Sequence, residues 1–328
     1  MSGAGAGIGG GIRRRTLLST GALGAAGLLA GALPALTGCA PGGGAPRISM
    51  ACGEPGGTYI RFGQALGRAA KARGIASAFT ARETGGSADN IDLLLSGEAE
   101  LGIALIDTAV EARDELVSLG RVYQNYLQCV VLADSGLRRV EQLAGRSVSI
   151  GATGSGTAES ARRTLAALGL EGAEGGSSAQ LLELRLADAV TRLAGGSIDA
   201  LFWSGGLPVP ELTRIEATSP VTLLDLSAAL PPLIEEYGPL YQEALVPANV
   251  YGSREPLPAI GVSNLLLARP TLPAGLAEGF ADVLIDDAEL LIPQPSYGMH
   301  FLSAESLIGT MPIPLHAAAE RRYAERYG

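Results

Sequence analysis

Lysine is almost missing from these 328 residues: Lys71 is the only one. A P-loop needs a lysine beside its glycines to reach a nucleotide's phosphates, so that class of site is excluded. Histidine is scarce as well, with only His300 and His316, and neither has a second metal ligand near it in the sequence. No Cys/His spacing of the zinc type occurs. Besides Cys39, the cysteines are Cys52 and Cys129. They are read as buried free thiols, with a disulfide between them as the alternative in an oxidising compartment. Positive charge is also short: 24 Lys and Arg face 33 Asp and Glu, for a net charge of −9. An acidic surface disfavours nucleic acid and anionic lipid as partners. The dinucleotide pattern Gly-x-Gly-x-x-Gly is approached at Gly154-Ser155-Gly156, but Glu159 fills the third glycine's place, so no cofactor is expected.

What is present begins at the N-terminus. Arg13-Arg14-Arg15 precedes an uncharged apolar stretch over 17–36, and Leu36-Thr37-Gly38-Cys39 follows. A basic segment, an apolar segment and small residues at a cleavage point make residues 1–38 an export signal. Leu-Thr-Gly-Cys resembles the bacterial lipobox, which implies that Cys39 becomes the lipidated first residue. Arg14-Arg15-Thr16-Leu17-Leu18 resembles a twin-arginine motif. The alternative is an uncleaved anchor, since about 20 apolar residues can span a bilayer. In both cases the bulk of the chain works outside the cytoplasmic membrane. Loss of residues 1–38 removes three arginines and no acid, taking the charge from −9 to −12. Residues 39–46, rich in glycine and proline, read as a flexible lipidated tether.

One glycine-rich pattern then recurs three times: Gly53-Glu54-Pro55-Gly56-Gly57-Thr58-Tyr59, Thr84-Gly85-Gly86-Ser87-Ala88-Asp89-Asn90, and Gly151-Ala152-Thr153-Gly154-Ser155-Gly156-Thr157. Each follows a short apolar run and precedes a helical pattern. A helix opening there exposes backbone N–H groups without intrahelical partners and carries partial positive charge, which suits an anionic ligand. The pattern points to a binding protein for a small acidic molecule.

Periodicity predicts strands over 47–51, 75–82, 101–106, 126–132, 147–150, 200–203 and 260–267. It predicts helices over 59–72, 90–95, 108–119, 140–143, 158–168, 187–193 and 274–291. Continuous apolar strands alternating with helices argue an α/β fold with parallel sheet. The order repeats, so two lobes around a cleft are expected, joined by extended crossings near 127–135 and 246–267. The first lobe takes residues 47–134 and 248–328, the second 135–247. Open α/β sheets bind ligands at the carboxyl ends of their strands, where the three loops fall.

In this order, Gly56-Gly57-Thr58-Tyr59, residues 84–90, Gly97-Glu98-Ala99-Glu100-Leu101, Gly154-Ser155-Gly156-Thr157 and Ile313-Pro314-Leu315-His316 resemble the TAXI family, the solute-receptor subunits of TRAP transporters. The resemblance spans nearly the whole mature chain. It implies a two-lobed periplasmic-binding-protein fold of type II kind. It also implies delivery of an organic acid or amino acid, glutamate-like or dicarboxylate, to an ion-driven membrane permease. Two departures stand out. Cys52-Gly53-Glu54 replaces the usual Gly, Thr or Ser, and Glu54 would repel an anion if it faced the cleft. Ile106-Asp107-Thr108 replaces the commoner Ser-Asp.

Ligand-contact candidates follow from the loops. Gly57, Thr58 and Tyr59 would hold a carboxylate, with the Tyr59 ring as a wall; the structural alternative is an N-cap threonine and a core tyrosine. Gly86, Ser87 and Asn90 would hold an amide or hydroxyl, unless Ser87 simply caps its helix. Asp107 would bind an ammonium group or cap the helix after it. Ser155, Gly156 and Thr157 would form the second lobe's anion loop. Trp203 would lie along the ligand, or fill the core, and Ser204 follows it at the strand's end. Arg61, Arg82 and Arg162 are candidates for a salt bridge to a ligand carboxylate, with a solvated surface position as the default. His316 and Tyr323 read as packing of the last helix. Catalysis would need Ser155, Ser204 or Cys52 as nucleophile with His300 or His316 as base. No Gly-x-Ser-x-Gly elbow is present, so the chain is read as a non-enzyme. Its alternative function is ligand sensing for a membrane signalling partner.

Overall fold

The computed structural model describes residues 45–172, 178–292 and 302–328. The export signal, Cys39 and His300 lie outside the described residues. Gly43–Gly328 form one compact unit. Its elements, in order, are β1 (Arg47–Ala51), α1 (Thr58–Ala72), β2 (Ala78–Arg82), α2 (Ser87–Ser96), β3 (Leu101–Leu105), α3 (Ile106–Ala109) and β4 (Val117–Leu132). Next come β5 (Ser147–Ser149), α4 (Gly156–Ala167), β6 (Gln180–Leu182), α5 (Leu186–Ala194), β7 (Ala200–Gly205), α6 (Pro210–Ile215), β8 (Val221–Leu224) and α7 (Leu230–Tyr237). The chain ends with β9 (Tyr241–Val246), β10 (Leu257–Ala268), α8 (Ala274–Asp286), α9 (Ala288–Leu291), α10 (Ala304–Ile308) and α11 (Ala317–Tyr327).

One sheet runs β2-β1-β3-β10-β4-β7-β5-β6, with β8 beside β4 and β9 beside β10. β1 pairs parallel with β2 and β3, and β5 pairs parallel with β6 and β7. Between these parallel sets stand β4 and β10, of 16 and 12 residues, antiparallel to each other and to their flanking strands. The fold is therefore α/β, with two parallel halves bridged by two long strands.

Two hydrophobic cores lie against the sheet. Along β4 the side chains alternate between them: Tyr126 and Val130 belong to one, Leu127, Cys129 and Val131 to the other, as the two-residue period of a strand requires. Cys52 lies in the first core and Cys129 in the second, both free. The disulfide alternative is thereby removed.

Two boundaries differ from expectation. The helix predicted over 108–119 stops at Ala112, and Val117 already begins β4. Pairing of Val117 and Ser118 with Ala268 and Leu267 of β10 overrides the local helical pattern. The helix predicted over 274–291 breaks at Asp287 (φ −108°, ψ 17°) into α8 and α9. At the C-terminus the chain returns to β4. Ser118 donates to the Pro314 carbonyl at 2.8 Å, the N–H of His316 donates to the Ser118 carbonyl at 2.8 Å, and the Tyr323 hydroxyl donates to the Leu119 carbonyl at 2.6 Å. Among the described residues no helix is long and apolar enough to cross a membrane, and no group of three His, Cys, Asp or Glu could hold a metal ion.

Candidate ligand-binding site

The loops after β1, β2 and β5 meet at one cavity, closed on a further side by the end of β7. Its lining includes Gly57, Thr58 and Tyr59 from the first loop, Gly86 and Ser87 from the second, Ser155, Gly156 and Thr157 from the third, and Trp203 and Ser204 from β7. Ten of the twelve candidates thus share one cavity. Five lining residues were not among them: Gly53, Glu54, Gly85, Leu105 and Asn125. The cavity volume is about 40 Å³, room for no more than a few waters at roughly 10–15 Å³ each.

Asn90 and Asp107 do not line the cavity. The Asn90 amide donates to the carbonyls of Cys52 and Ile103 (2.7 Å to the latter), and its oxygen accepts from the Thr84 hydroxyl at 2.7 Å. It ties the end of β1 and the middle of β3 to the second loop. Asp107 is fully buried and accepts from the Ser160 hydroxyl at 2.5 Å, the Tyr241 hydroxyl at 2.9 Å and the N–H of Thr108 at 2.8 Å.

The three helix N-termini are not equivalent. At α1 the cap position is Gly57, with no side-chain cap, and no protein acceptor meets the N–H groups of Thr58 or Tyr59. At α4 the Ser155 hydroxyl accepts from the N–H of Ala158 at 3.1 Å, leaving those of Gly156 and Thr157 without protein acceptors. At α2 the N–H groups of Ala88 and Asp89 donate to the Gly154 carbonyl at 3.0 and 3.3 Å. One of the three anion-seeking ends therefore binds the protein's own backbone. That contact needs glycine: Gly154 has φ +74°, and a Cβ there would collide with the Asp89 carboxylate. A Cβ on Gly86 would approach the Ser155 Cα to 3.1 Å.

The hydroxyls are held in place. Ser87 Oγ accepts from the N–H of Leu105 at 3.1 Å and lies 3.3 Å from the Tyr59 hydroxyl. Thr157 Oγ1 accepts from the N–H of Ser204 at 3.1 Å. The Tyr59 ring stands against Tyr123, with centroids 6.4 Å apart. Trp203 lies over Gly205, whose position no larger residue could take without meeting the indole.

Glu54 does face the cavity. Its carboxylate accepts from the N–H of Leu186 at 3.2 Å. Burial pushes its pKa above the ordinary carboxylate range, outweighing the pull of that hydrogen bond and of Arg185. The arginines divide. Arg82 bonds the Glu98 carbonyl, and Arg162 pairs with Glu171 and Glu183. Arg61 lines a side cavity of about 10 Å³ that shares Gly57, Thr58 and Trp203 with the main one, and its Nε is buried without a partner.

Residues 50–326 match the sequence profile of the NMT1-like family. The chain belongs to that family. Among solved structures, the chain is similar to XAC2383 from Xanthomonas citri bound to ATP, at 11% identity over 86% of this chain and 95% of that one, with a TM-score of 0.50. It is also similar to the periplasmic aliphatic sulphonate binding protein SsuA from Escherichia coli (17% identity, 85% and 83% covered, TM-score 0.44). A third is the arginine-, lysine-, histidine-binding protein ArtJ from Geobacillus stearothermophilus (12%, 74% and 93%, 0.47). Of these three, XAC2383 alone reaches 0.50. At such identities the likeness is one of fold.

In this NMT1-like chain the nucleophile candidate Cys52 and the base candidate His316 are poorly placed for chemistry. Burial pushes the Cys52 thiol up to about 12, far from the thiolate that would react. The ring of His316 is held at both nitrogens by backbone, Nε2 3.0 Å from the Leu272 carbonyl and Nδ1 accepting from the N–H of Ala318 at 3.2 Å. Asn125, absent from the sequence-derived candidates, had a visible signal. It is a polar residue in the apolar stretch 122–132, but the strand was expected to begin only after it.

Proposed function

We propose that the chain is an extracytoplasmic solute receptor of the TAXI type. It binds a small organic acid or amino acid, glutamate-like or dicarboxylate, and hands it to a TRAP-type ion-driven permease. A lipid on Cys39 anchors it to the outer face of the cytoplasmic membrane. The observation that carries the reading is the N-terminal ends of α1 and α4 on the lining of one cavity, with the N–H groups of Thr58, Tyr59, Gly156 and Thr157 lacking protein acceptors. Such ends favour an acid group. The motif order in the sequence supports the partner. The cavity draws Gly57 to Ser87 from one proposed lobe (47–134 and 248–328) and Ser155 to Ser204 from the other (135–247), so the lobes would part about β4 and β10 to widen the cavity for the solute and then close on it.

The experiment is a thermal-shift screen of the purified chain against amino acids and small organic acids. A solute that binds only the folded state raises the midpoint by mass action. A saturable rise with an acidic solute is the expected result; no rise with any of them would sink the proposal.

A further inference from the structure

We infer that the solute in this cavity carries a hydrogen-bond donor, an ammonium or hydroxyl group beside its acid, and presents it to the side-chain carbonyl of Asn125. The inference rests on the receptor reading above and narrows its solute class. Asn125 lies on β4, is only 1% exposed and lines the cavity. Its Nδ2 donates to the Ser204 hydroxyl at 3.3 Å, while its Oδ1 is buried with no hydrogen-bond partner. Buried polar atoms are almost always paired, so an orphan on a cavity wall marks where a ligand atom belongs.

The chemistry of that atom follows from what the rest of the lining offers. The ends of α1 and α4 present N–H donors, which satisfy an acid without help from Asn125. Asn125 adds an acceptor. The Glu54 carboxylate, on the same lining, works in the same sense, since it attracts a donor. An unsubstituted or 2-oxo acid would leave Oδ1 unpaired, and a site built to pair a polar group discriminates strongly against analogues that lack it. The amine or hydroxyl form of the same carbon skeleton would not.

Calorimetric titration of the full chain with two matched series tests this. One is alanine, lactate, pyruvate and propionate; the other is glutamate, 2-hydroxyglutarate, 2-oxoglutarate and glutarate. In whichever series binds, the amine or the hydroxyl form should bind at least about tenfold tighter than the oxo and unsubstituted forms, and the tighter of the two names the donor. Asn125→Asp, which keeps an acceptor, should retain the preference; Asn125→Leu should collapse it. Should Asn125→Leu fail to fold, the wild-type ratios and Asn125→Asp decide. Equal binding of all four forms overturns the inference and leaves the receptor standing. A preference for the oxo form, with the amide turned to offer its NH₂, does the same. Absence of binding across both series overturns the receptor reading and this inference together.

Discussion

Asp107 shows what a single buried charge does in this fold. Its carboxylate takes four hydrogen bonds, the fourth from the Thr108 hydroxyl at 3.3 Å, and the Arg163 guanidinium donates to its backbone carbonyl at 2.9 Å while pairing with Glu159 and Glu111. Complete burial nonetheless pushes its pKa above the ordinary range, against the Ser160 bond and the Arg163 charge. A raised folded-state pKa means that the folded protein keeps a proton the unfolded chain has lost. That stabilisation is complete below about pH 3.9 and disappears as pH rises through the folded value. Asp107→Asn removes the titration. The difference in unfolding free energy between variant and wild type, followed by urea melts from pH 4 upward, should therefore move in the variant's favour. A difference independent of pH would contradict this account. The residue was a ligand candidate because it ends a buried strand. What the sequence hid was Ser160 and Tyr241, distant in the chain, converging on it.

At the scale of elements, the last helix is fastened to α8, where Arg322 and Arg326 pair with Asp282, and also to β4. The Tyr323 hydroxyl reaches the Leu119 carbonyl, and a Cβ on Gly120 would come within 2.9 Å of that hydroxyl. Tyr323→Phe should lower the unfolding free energy by about 1–2 kcal/mol by leaving a buried carbonyl short of a donor. It should leave solute affinity unchanged, since Tyr323 is not on the cavity lining; denaturation and titration of the same sample check both. Elements whose pattern is local were legible. β1, β3, α1, α4 and α5 lie close to where apolar periodicity and glycine breaks put them. The start of β4 was not, because Val117–Leu119 owe their conformation to β10, more than a hundred residues later. β6 and β9 also escaped; they pair with β5 and β10, far nearer in the chain. Glycine spacing named the three loops, and the helix starts after them exposed Thr58, Ser87 and Thr157. It could not reveal that α2's N–H groups turn to Gly154, nor that Asn125 reaches the same cavity.

For the molecule as a whole, the proposed solute binding depends on how closely the second and third glycine loops approach. A Cβ on Gly156 would collide with the Ser87 hydroxyl and come within 2.7 Å of Leu105 Cδ1. Gly156→Ala should therefore wedge the loops apart, costing about 1–3 kcal/mol of stability and weakening solute binding at least several-fold. Titration of the folded variant checks it; affinity equal to wild type would mean that solute binds without the loops in contact. The two bonds from Ala88 and Asp89 to Gly154 also bear on timing. In the proposed receptor this backbone latch would hold the two loops together, so that a solute enters only during the intervals when the latch is broken. Capture slows in proportion to the shut fraction, while escape slows as well. A weaker latch would give a receptor that samples its surroundings faster and holds what it catches for less time.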